Sequence, residues 1–217
     1  MDIKQAKFNM VEQQIRPWNV LDPKVLEAVS TVPREHFVPK EHRELSFVDM
    51  NIPIGDNQVM MQPKVEARLL QALEPDPEHL VLEIGTGSGY MAALLAHCAK
   101  FVQTVEIRPA LAEAATDHLI ENKSSNVQVI EGDGGQGWQS DHQFDCIFLS
   151  GSVIELPDSY RKLLNVGGRL VAIVGDEPVM NAILVERTGP ASWKTTYLFE
   201  TILPALDHIE QPSRFVF

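Results

Sequence analysis

Three glycines separated by single residues, Gly85, Gly87 and Gly89, form the strongest chemical signal in the sequence. They follow the apolar run 79–84, which has the length of a buried strand, and they precede an apolar segment of helical length. Glycine lacks a Cβ atom, so a ligand can approach this backbone closely. We expect the helix to start at Ser88, where free N–H groups would face a carboxylate.

The spacing of these glycines separates two kinds of nucleotide site. The loop reads G-x-G-x-G, whereas a dinucleotide site reads G-x-G-x-x-G, and the sequence contains no G-x-x-x-x-G-K phosphate loop. S-adenosyl-L-methionine has no pyrophosphate; it has an amino-acid end, a sulfonium, a ribose and an adenine. The sequence therefore favours this sulfonium nucleoside over NAD or ATP as the cofactor.

Acidic residues stand at the ends of three successive predicted strands. Glu83 precedes the first glycine by two residues, Glu106 ends the second strand, and Asp133 follows the third. The carboxyl ends of parallel strands meet at one sheet edge, where ligands bind. We expect Glu83 to lie near the amino-acid and sulfonium end, Glu106 to accept both ribose hydroxyls, and Asp133 to accept from the adenine amino group.

Each of these features alone could be purely structural. Glycine-rich turns are common, Glu106 could be a solvated residue at a strand end, and Asp133 could be an acidic residue in a turn. Together they predict a methyl-donor site. The predicted cofactor-binding residues are Glu83, Gly85, Thr86, Gly87, Ser88, Gly89, Glu106, Ile107, Asp133 and Gly134.

Alternating strands and helices from residue 79 onward must position this site. Strands are predicted at 79–84, 101–107, 126–132, 143–150, 167–175, 180–187 and 193–202, and helices at 88–100, 109–122 and 156–164. The fold class is thus α/β, with a doubly wound, mainly parallel, Rossmann-like sheet.

The first 62 residues have a different character. Residues 1–50 are predicted to be helical, with a loose apolar stripe of Ile3, Phe8, Met10, Val11 and Ile15 and a helix start at Asp22–Pro23. Residues 51–62 are predicted to be an irregular or extended loop, after which Pro63 opens a helix. We expect one domain over 1–217, with N-terminal helices and a substrate loop in 1–62 and the cofactor-binding core in 63–217.

Composition excludes several classes of function. The net charge of −12 disfavours binding to a nucleic-acid backbone. The seven histidines show no metal-binding spacing, so we expect no metal. The sequence has no apolar run of about 18 residues and no signal peptide, and its two cysteines lack a pairing motif. These features predict a cytoplasmic protein without membrane contact, either a monomer or a weak homodimer.

Three segments resemble the protein-L-isoaspartate O-methyltransferase family. They are 8–39 (FNMVEQQIRPWNVLDPKVLEAVSTVPREHFVP), 81–90 (VLEIGTGSGY) and 131–138 (EGDGGQGW). The first and last are more specific than the glycine loop, which many methyltransferases share. The resemblance implies O-methylation of a carboxylate of isoaspartyl residues in damaged proteins, and a protein or peptide partner that bears isoaspartate.

The chain departs from this family in its expected substrate loop, which comprises Ile54, Gly55, Gln58, Val59, Met60 and Met61. The family typically has G-Q-T-I-S-Q-P after P-I-G, so Val59 and Met61 replace the threonine and the serine. The resemblance implies a serine hydroxyl that contacts the reacting carboxylate region, and Met61 cannot donate that hydrogen bond. No catalytic residue is assigned.

Three hypotheses follow from this departure. The enzyme methylates isoaspartyl carboxylates by positioning alone, since an ionised carboxylate needs no general base. Alternatively, its pocket accepts a small hydrophobic metabolite, with Met60 and Met61 in the lining, although core packing also explains both methionines. The third hypothesis is a cofactor-binding protein that has lost isoaspartyl activity.

Overall fold

A computed structural model describes residues 2–209 of the chain. Its α-helices are α1 (Ile3–Met10), α2 (Pro23–Thr31), α3 (Pro63–Leu73), α4 (Tyr90–Cys98), α5 (Pro109–Glu121) and α6 (Asp158–Leu163). Its strands are β1 (Ile52–Gly55), β2 (Gln58–Met60), β3 (Leu80–Ile84), β4 (Phe101–Glu106), β5 (Val127–Glu131), β6 (Phe144–Val153), β7 (Leu164–Asp176), β8 (Val179–Gly189) and β9 (Ser192–Glu200).

Seven strands form the central sheet, in the order β5-β4-β3-β6-β7-β8-β9. The pairs from β5 to β7 are parallel, and β8 and β9 add an antiparallel edge. The predicted mainly parallel α/β sheet is therefore confirmed. Because β3 lies between β4 and β6, the loops that follow these three strands lie side by side at one edge.

Buried apolar side chains cover both faces of the sheet, since alternate residues of a strand point to opposite faces. On β3, Val81 belongs to a cluster that includes residues of α2, α3 and α4, whereas Leu82 belongs to a second cluster with Tyr160 of α6. The N-terminal segment contributes Met10, Val11 and Ile15 to the first cluster.

The predicted N-terminal stripe is wrong for two residues. Ile3 is 44% exposed and Phe8 is 60% exposed, whereas Met10, Val11 and Ile15 are buried. Phe8 and Met10 are separated by roughly 200° around an α-helix, so both cannot face the core. The helix also changes to a π turn at Val11–Ile15, which alters the period of the buried face. The start predicted at Asp22–Pro23 is correct, and the Asp22 carboxylate accepts from the Lys24 N–H at 2.8 Å.

The segment 51–62, expected to be irregular or extended, contains an antiparallel hairpin of β1 and β2. Asp56 and Asn57 form its turn with φ of 49° and 57°. Positive φ at both central residues defines a two-residue hairpin turn, and Asp and Asn adopt this conformation more readily than other side chains. No helix within residues 2–209 has the length and apolar character needed to cross a bilayer.

Candidate functional site

A cavity opens at the carboxyl ends of β3, β4 and β6, with about 530 Å³ of empty space. Its wall includes residues from all three strand ends and from the loop after β5. Six predicted cofactor-binding residues line it: Gly85, Gly87, Glu106, Ile107, Asp133 and Gly134.

A smaller recess of about 280 Å³ adjoins this cavity and shares Val59, Gly85, Gly87 and Ser150 with it. Three more predicted cofactor-binding residues, Glu83, Thr86 and Ser88, line the recess. A ligand that spans both spaces would cross the glycine loop, with one end near Glu106 and Asp133 and the other near Glu83. Gly89 lines neither space within the described residues.

The glycine loop turns sharply between β3 and α4. Gly85 and Gly87 have φ of 92° and 54°, a region that L side chains rarely adopt. The N–H groups of Gly85 and Thr86 both donate to the Val105 carbonyl, at 2.8 and 3.2 Å. These bonds fix the loop against the end of β4.

The helix after this loop starts at Tyr90, not at Ser88 as expected. Gly89 is its N-cap residue with φ of 85°, and the Ser88 Oγ accepts from the Tyr90 N–H at 3.4 Å. A Cβ on Gly89 would lie 3.3 Å from the Ala115 side chain. Gly89 thus allows α4 and α5 to approach each other.

Glu83 is fully buried and is held by hydroxyl groups. Thr104 and Ser150 donate to its two carboxylate oxygens at 2.7 and 2.8 Å, and Thr86 joins this network through Thr104 at 2.7 Å. Burial raises the pKa of Glu83 to about 8, against the lowering effect of the two hydroxyl donors. A cation bound beside Glu83 would stabilise its ionised form.

Glu106 holds the glycine loop in place. Its Oε2 accepts from the Gly87 N–H at 2.8 Å, and its Oε1 accepts from the Arg108 N–H at 3.1 Å. The side chain is buried at the cavity wall. Each carboxylate oxygen has a second lone pair, so both can still accept from a diol.

Asp133 stands at the far end of the cavity and is about half-exposed. Its Oδ1 accepts from the Gly135 N–H at 2.9 Å, and its Oδ2 lies 2.7 Å from the His208 Nδ1. The Gly135 N–H and the His208 side chain lower the pKa of Asp133. The carboxylate is therefore ionised at neutral pH and is a strong hydrogen-bond acceptor.

The hairpin covers the glycine loop from the other side. Ile54, Gln58 and Val59 line the larger cavity, and Val59, Met60 and Met61 line the recess. The Ile54 Cδ1 atom would lie 3.1 Å from a Cβ on Gly87, a tight contact that adds to the preference for glycine set by the φ of 54°. Gly55 lies in the turn and lines neither space within the described residues.

Met60 and Met61 are each 4% exposed and belong to the core cluster that includes α3. The side chains therefore pack in the core and also reach the recess, and a role for them in binding a hydrophobic acceptor stays a prediction.

Sequence reasoning missed the C-terminal side of the cavity. Leu206 and Asp207 line it, and Asp207 forms an ion pair with Arg108 at 2.7 Å. Two backbone hydrogen bonds hold segment 203–209 against β6. The Ser152 N–H donates to the Pro204 carbonyl, and the Leu206 N–H donates to the Ser152 carbonyl. No motif in 203–209 marks these residues, whereas Ser150 could have been found from its place at the predicted end of β6.

Known proteins match this chain over most of its length. The sequence model of the protein-L-isoaspartate(D-aspartate) O-methyltransferase family matches residues 5–208. The chain belongs to this family. A protein-L-isoaspartate O-methyltransferase of Rhodopseudomonas palustris is 40% identical over 190 residues, covering 87% of each chain. One of Syntrophobacter fumaroxidans is 38% identical over 198 residues, covering 91% of this chain and 92% of its own.

Solved structures confirm the fold expected for the family. A crystal structure described as a protein-L-isoaspartate O-methyltransferase from Plasmodium falciparum, in complex with S-adenosyl-L-homocysteine, superimposes with a TM-score of 0.79. It is 18% identical and covers 95% of this chain and 98% of its own. The matched residues include the hairpin, the glycine loop and the C-terminal segment to residue 208, so every residue that lines the two spaces lies within the match.

Proposed function

We propose that this chain transfers the methyl group of S-adenosyl-L-methionine to a carboxylate of isoaspartyl residues in damaged proteins. The observation that carries the proposal is the two-part site of a family member: a cavity at the strand ends, lined by Glu106 and Asp133, adjoins an acidic recess across the glycine loop. S-adenosyl-L-methionine supplies a methyl carbon bound to a positively charged sulfur.

The residues fit this ligand part by part. Glu106 accepts from the ribose hydroxyls while its backbone contacts hold the loop. Asp133 accepts from the adenine amino group, and Gly85 and Gly87 let the nucleoside lie against the backbone. Glu83 faces the positively charged end, where a buried carboxylate attracts a cation strongly.

The proposed acceptor matches the groups available for chemistry. Among the described residues, the charged side chains that line the two spaces are carboxyl groups and Arg108. A carboxylate acceptor needs no general base from any of them, because it is ionised at neutral pH. Its oxygen forms the bond to the methyl carbon, and the electron pair of the broken C–S bond stays on sulfur. The hairpin would position the acceptor and exclude water.

The test compares two synthetic peptides of one sequence, one with isoaspartate and one with aspartate at a single position. Each is incubated with the protein and donor labelled in the methyl group, and volatile label is counted after mild base treatment. We expect base-labile label in the isoaspartyl peptide alone, since a methyl ester releases methanol in base.

Two further measurements keep the result interpretable. Glu106→Gln should lower the rate and Glu113→Gln, an exposed change on α5, should not. Calorimetric binding of S-adenosyl-L-homocysteine without label in the isoaspartyl peptide would refute the acceptor. Label in small molecules of a cell extract would then favour the metabolite alternative.

A further inference from the structure

Glu66 is a buried acid that the proposed reaction does not yet use. It lies in the first turn of α3, is 2% exposed, and lines the same recess as Glu83, Thr86 and Ser88. Burial raises its pKa to about 7, although the neighbouring Arg34 lowers it. Burial of an unpaired charge is costly, so a buried acid normally has a partner that compensates its charge.

Arg34 holds one oxygen of this carboxylate. The guanidinium is fully buried and donates to the Glu66 Oε2, to the Ser46 carbonyl at 2.9 Å and to the Met61 carbonyl at 2.5 Å. It also lies 4.8 Å from the centre of the Tyr90 ring. These contacts join the N-terminal segment, the end of the hairpin and α3, and they fix the orientation of Glu66.

The second oxygen of the carboxylate remains available. The Glu66 Oε1 has no hydrogen-bond partner within residues 2–209, and it is not among the fully enclosed atoms that lack one. Because Glu66 forms part of the recess wall and Arg34 occupies Oε2, Oε1 is the oxygen free to bind a ligand there.

The charges around the recess specify what kind of ligand group fits. Two carboxylates, Glu66 and Glu83, line it, and among the described lining residues there is no lysine or arginine. The negative charge of Glu66 contributes to the raised pKa of Glu83, so the two acids are close enough to repel each other. A positively charged hydrogen-bond donor would relieve this repulsion.

We propose that the Glu66 Oε1 accepts a hydrogen bond from the α-ammonium group of the methyl donor. The inference rests on the proposed function and adds a residue on α3 to the cofactor site, outside the strand-end positions. Glu83 then faces the sulfonium, and Arg34 is a positioning residue that presents Oε1 to the ligand. The site distinguishes donors and products with an α-amino group from those without one.

The experiment measures calorimetric affinities of two ligands, S-adenosyl-L-homocysteine and its analogue without the α-amino group. In Glu66→Gln the amide oxygen can still accept from Arg34, but the recess side presents an NH₂ group. We expect this variant to bind S-adenosyl-L-homocysteine about tenfold more weakly, the scale of a hydrogen bond to a charged group. Its affinity for the deamino analogue should change by less than about twofold.

Glu74→Gln is the matched control, because Glu74 follows the same helix and its carboxylate pairs with Arg169 at the surface. It should leave both affinities unchanged. If Glu66→Gln weakens both ligands equally, Glu66 only supports the fold and the proposal is overturned. If Glu66→Gln does not fold, Glu66→Asp keeps the charge with a shorter reach and should show the same selective loss.

The two proposals fail in different ways. If the wild-type protein binds neither ligand, the cofactor assignment itself is wrong and this inference falls with it. If the wild-type protein binds S-adenosyl-L-homocysteine and the variants show no selective loss, only the role of Glu66 is refuted.

Discussion

The His208 Nδ1 lies 2.7 Å from the Asp133 Oδ2, so a C-terminal side chain occupies the carboxylate that we assign to adenine. The segment that carries His208 is anchored to the sheet edge by the Ser152–Leu206 hydrogen bond and by the Asp207–Arg108 ion pair. The Gly135 N–H already donates to the other oxygen, so the adenine amino group would have to share this carboxylate with both donors. A third donor on one carboxylate weakens each hydrogen bond, so we expect the C-terminal segment to oppose nucleoside binding.

His208→Ala should tighten the binding of S-adenosyl-L-homocysteine. The contact with Asp133 raises the pKa of His208 above its usual 6.5, so the competing imidazolium persists at pH 6 and is lost at higher pH. We expect a gain of about two- to fivefold at pH 6 and a smaller gain at pH 9, measured by calorimetry. His97→Ala, an exposed change on α4, is the control. Weaker binding in His208→Ala would mean that the segment closes over the ligand instead.

Asp133→Ala should weaken the same ligand by about 1 kcal/mol, the lower part of the range for a lost hydrogen bond, because the side chain is half-exposed. The sharper measurement uses the inosine analogue of S-adenosyl-L-homocysteine, which lacks the adenine amino group. Asp133→Ala should lose no affinity for this analogue. An equal loss for both ligands would show that Asp133 acts only by holding Gly135.

Glu83 and Glu106 could be assigned to the site from the sequence, because the direction of each strand determines the edge of the sheet at which its last residues lie. Each stands near the end of an apolar run, and parallel strands bring such ends to one edge of the sheet. The glycine spacing was equally informative, because a turn with positive φ between strand and helix needs residues without a Cβ atom.

Glu66 and Leu206 could not be located in this way. Glu66 lies in an amphipathic helix, where an acid normally faces solvent, and only its pairing with Arg34 from a distant segment explains its burial. Leu206 reaches the cavity because its segment pairs with β6, a contact between residues far apart in sequence. The hairpin, in contrast, has a local signal in Asp56–Asn57, two residue types that accept positive φ in a two-residue turn.

Glu83→Gln should reduce the pH dependence of stability in the ligand-free protein. Burial raises the pKa of Glu83 from 4.5 to about 8, so the folded chain keeps a proton that the unfolded chain releases. This contribution is complete below pH 4.5 and is lost as pH rises through about 8. Urea unfolding should show a larger loss of stability between pH 6 and pH 9 in the wild type than in Glu83→Gln. Equal losses would contradict the assignment, and Glu113→Gln should behave as wild type.

Arg34→Met should destabilise the protein strongly, because it leaves the Glu66 carboxylate buried without its cation. Removal of one partner of such a pair typically costs about 3–5 kcal/mol, measured here from the urea midpoint at constant slope. The loss should be smaller at pH 6 than at pH 9. Without Arg34, which lowers the pKa of Glu66, the carboxyl stays protonated to higher pH and carries no charge at pH 6.

The double variant Arg34→Met/Glu66→Leu separates the charge from the packing. Apolar side chains of similar volume often replace a buried ion pair without loss, so the double variant should recover most of the stability. Its affinity for S-adenosyl-L-homocysteine should remain below that of the wild type, since the carboxylate oxygen that would bind the α-ammonium is gone.

The control for stability is Lys100→Met, which breaks the exposed ion pair with Glu78 and should cost no more than about 0.5 kcal/mol. A stable Arg34→Met protein at pH 9 would show that Glu66 does not need this partner.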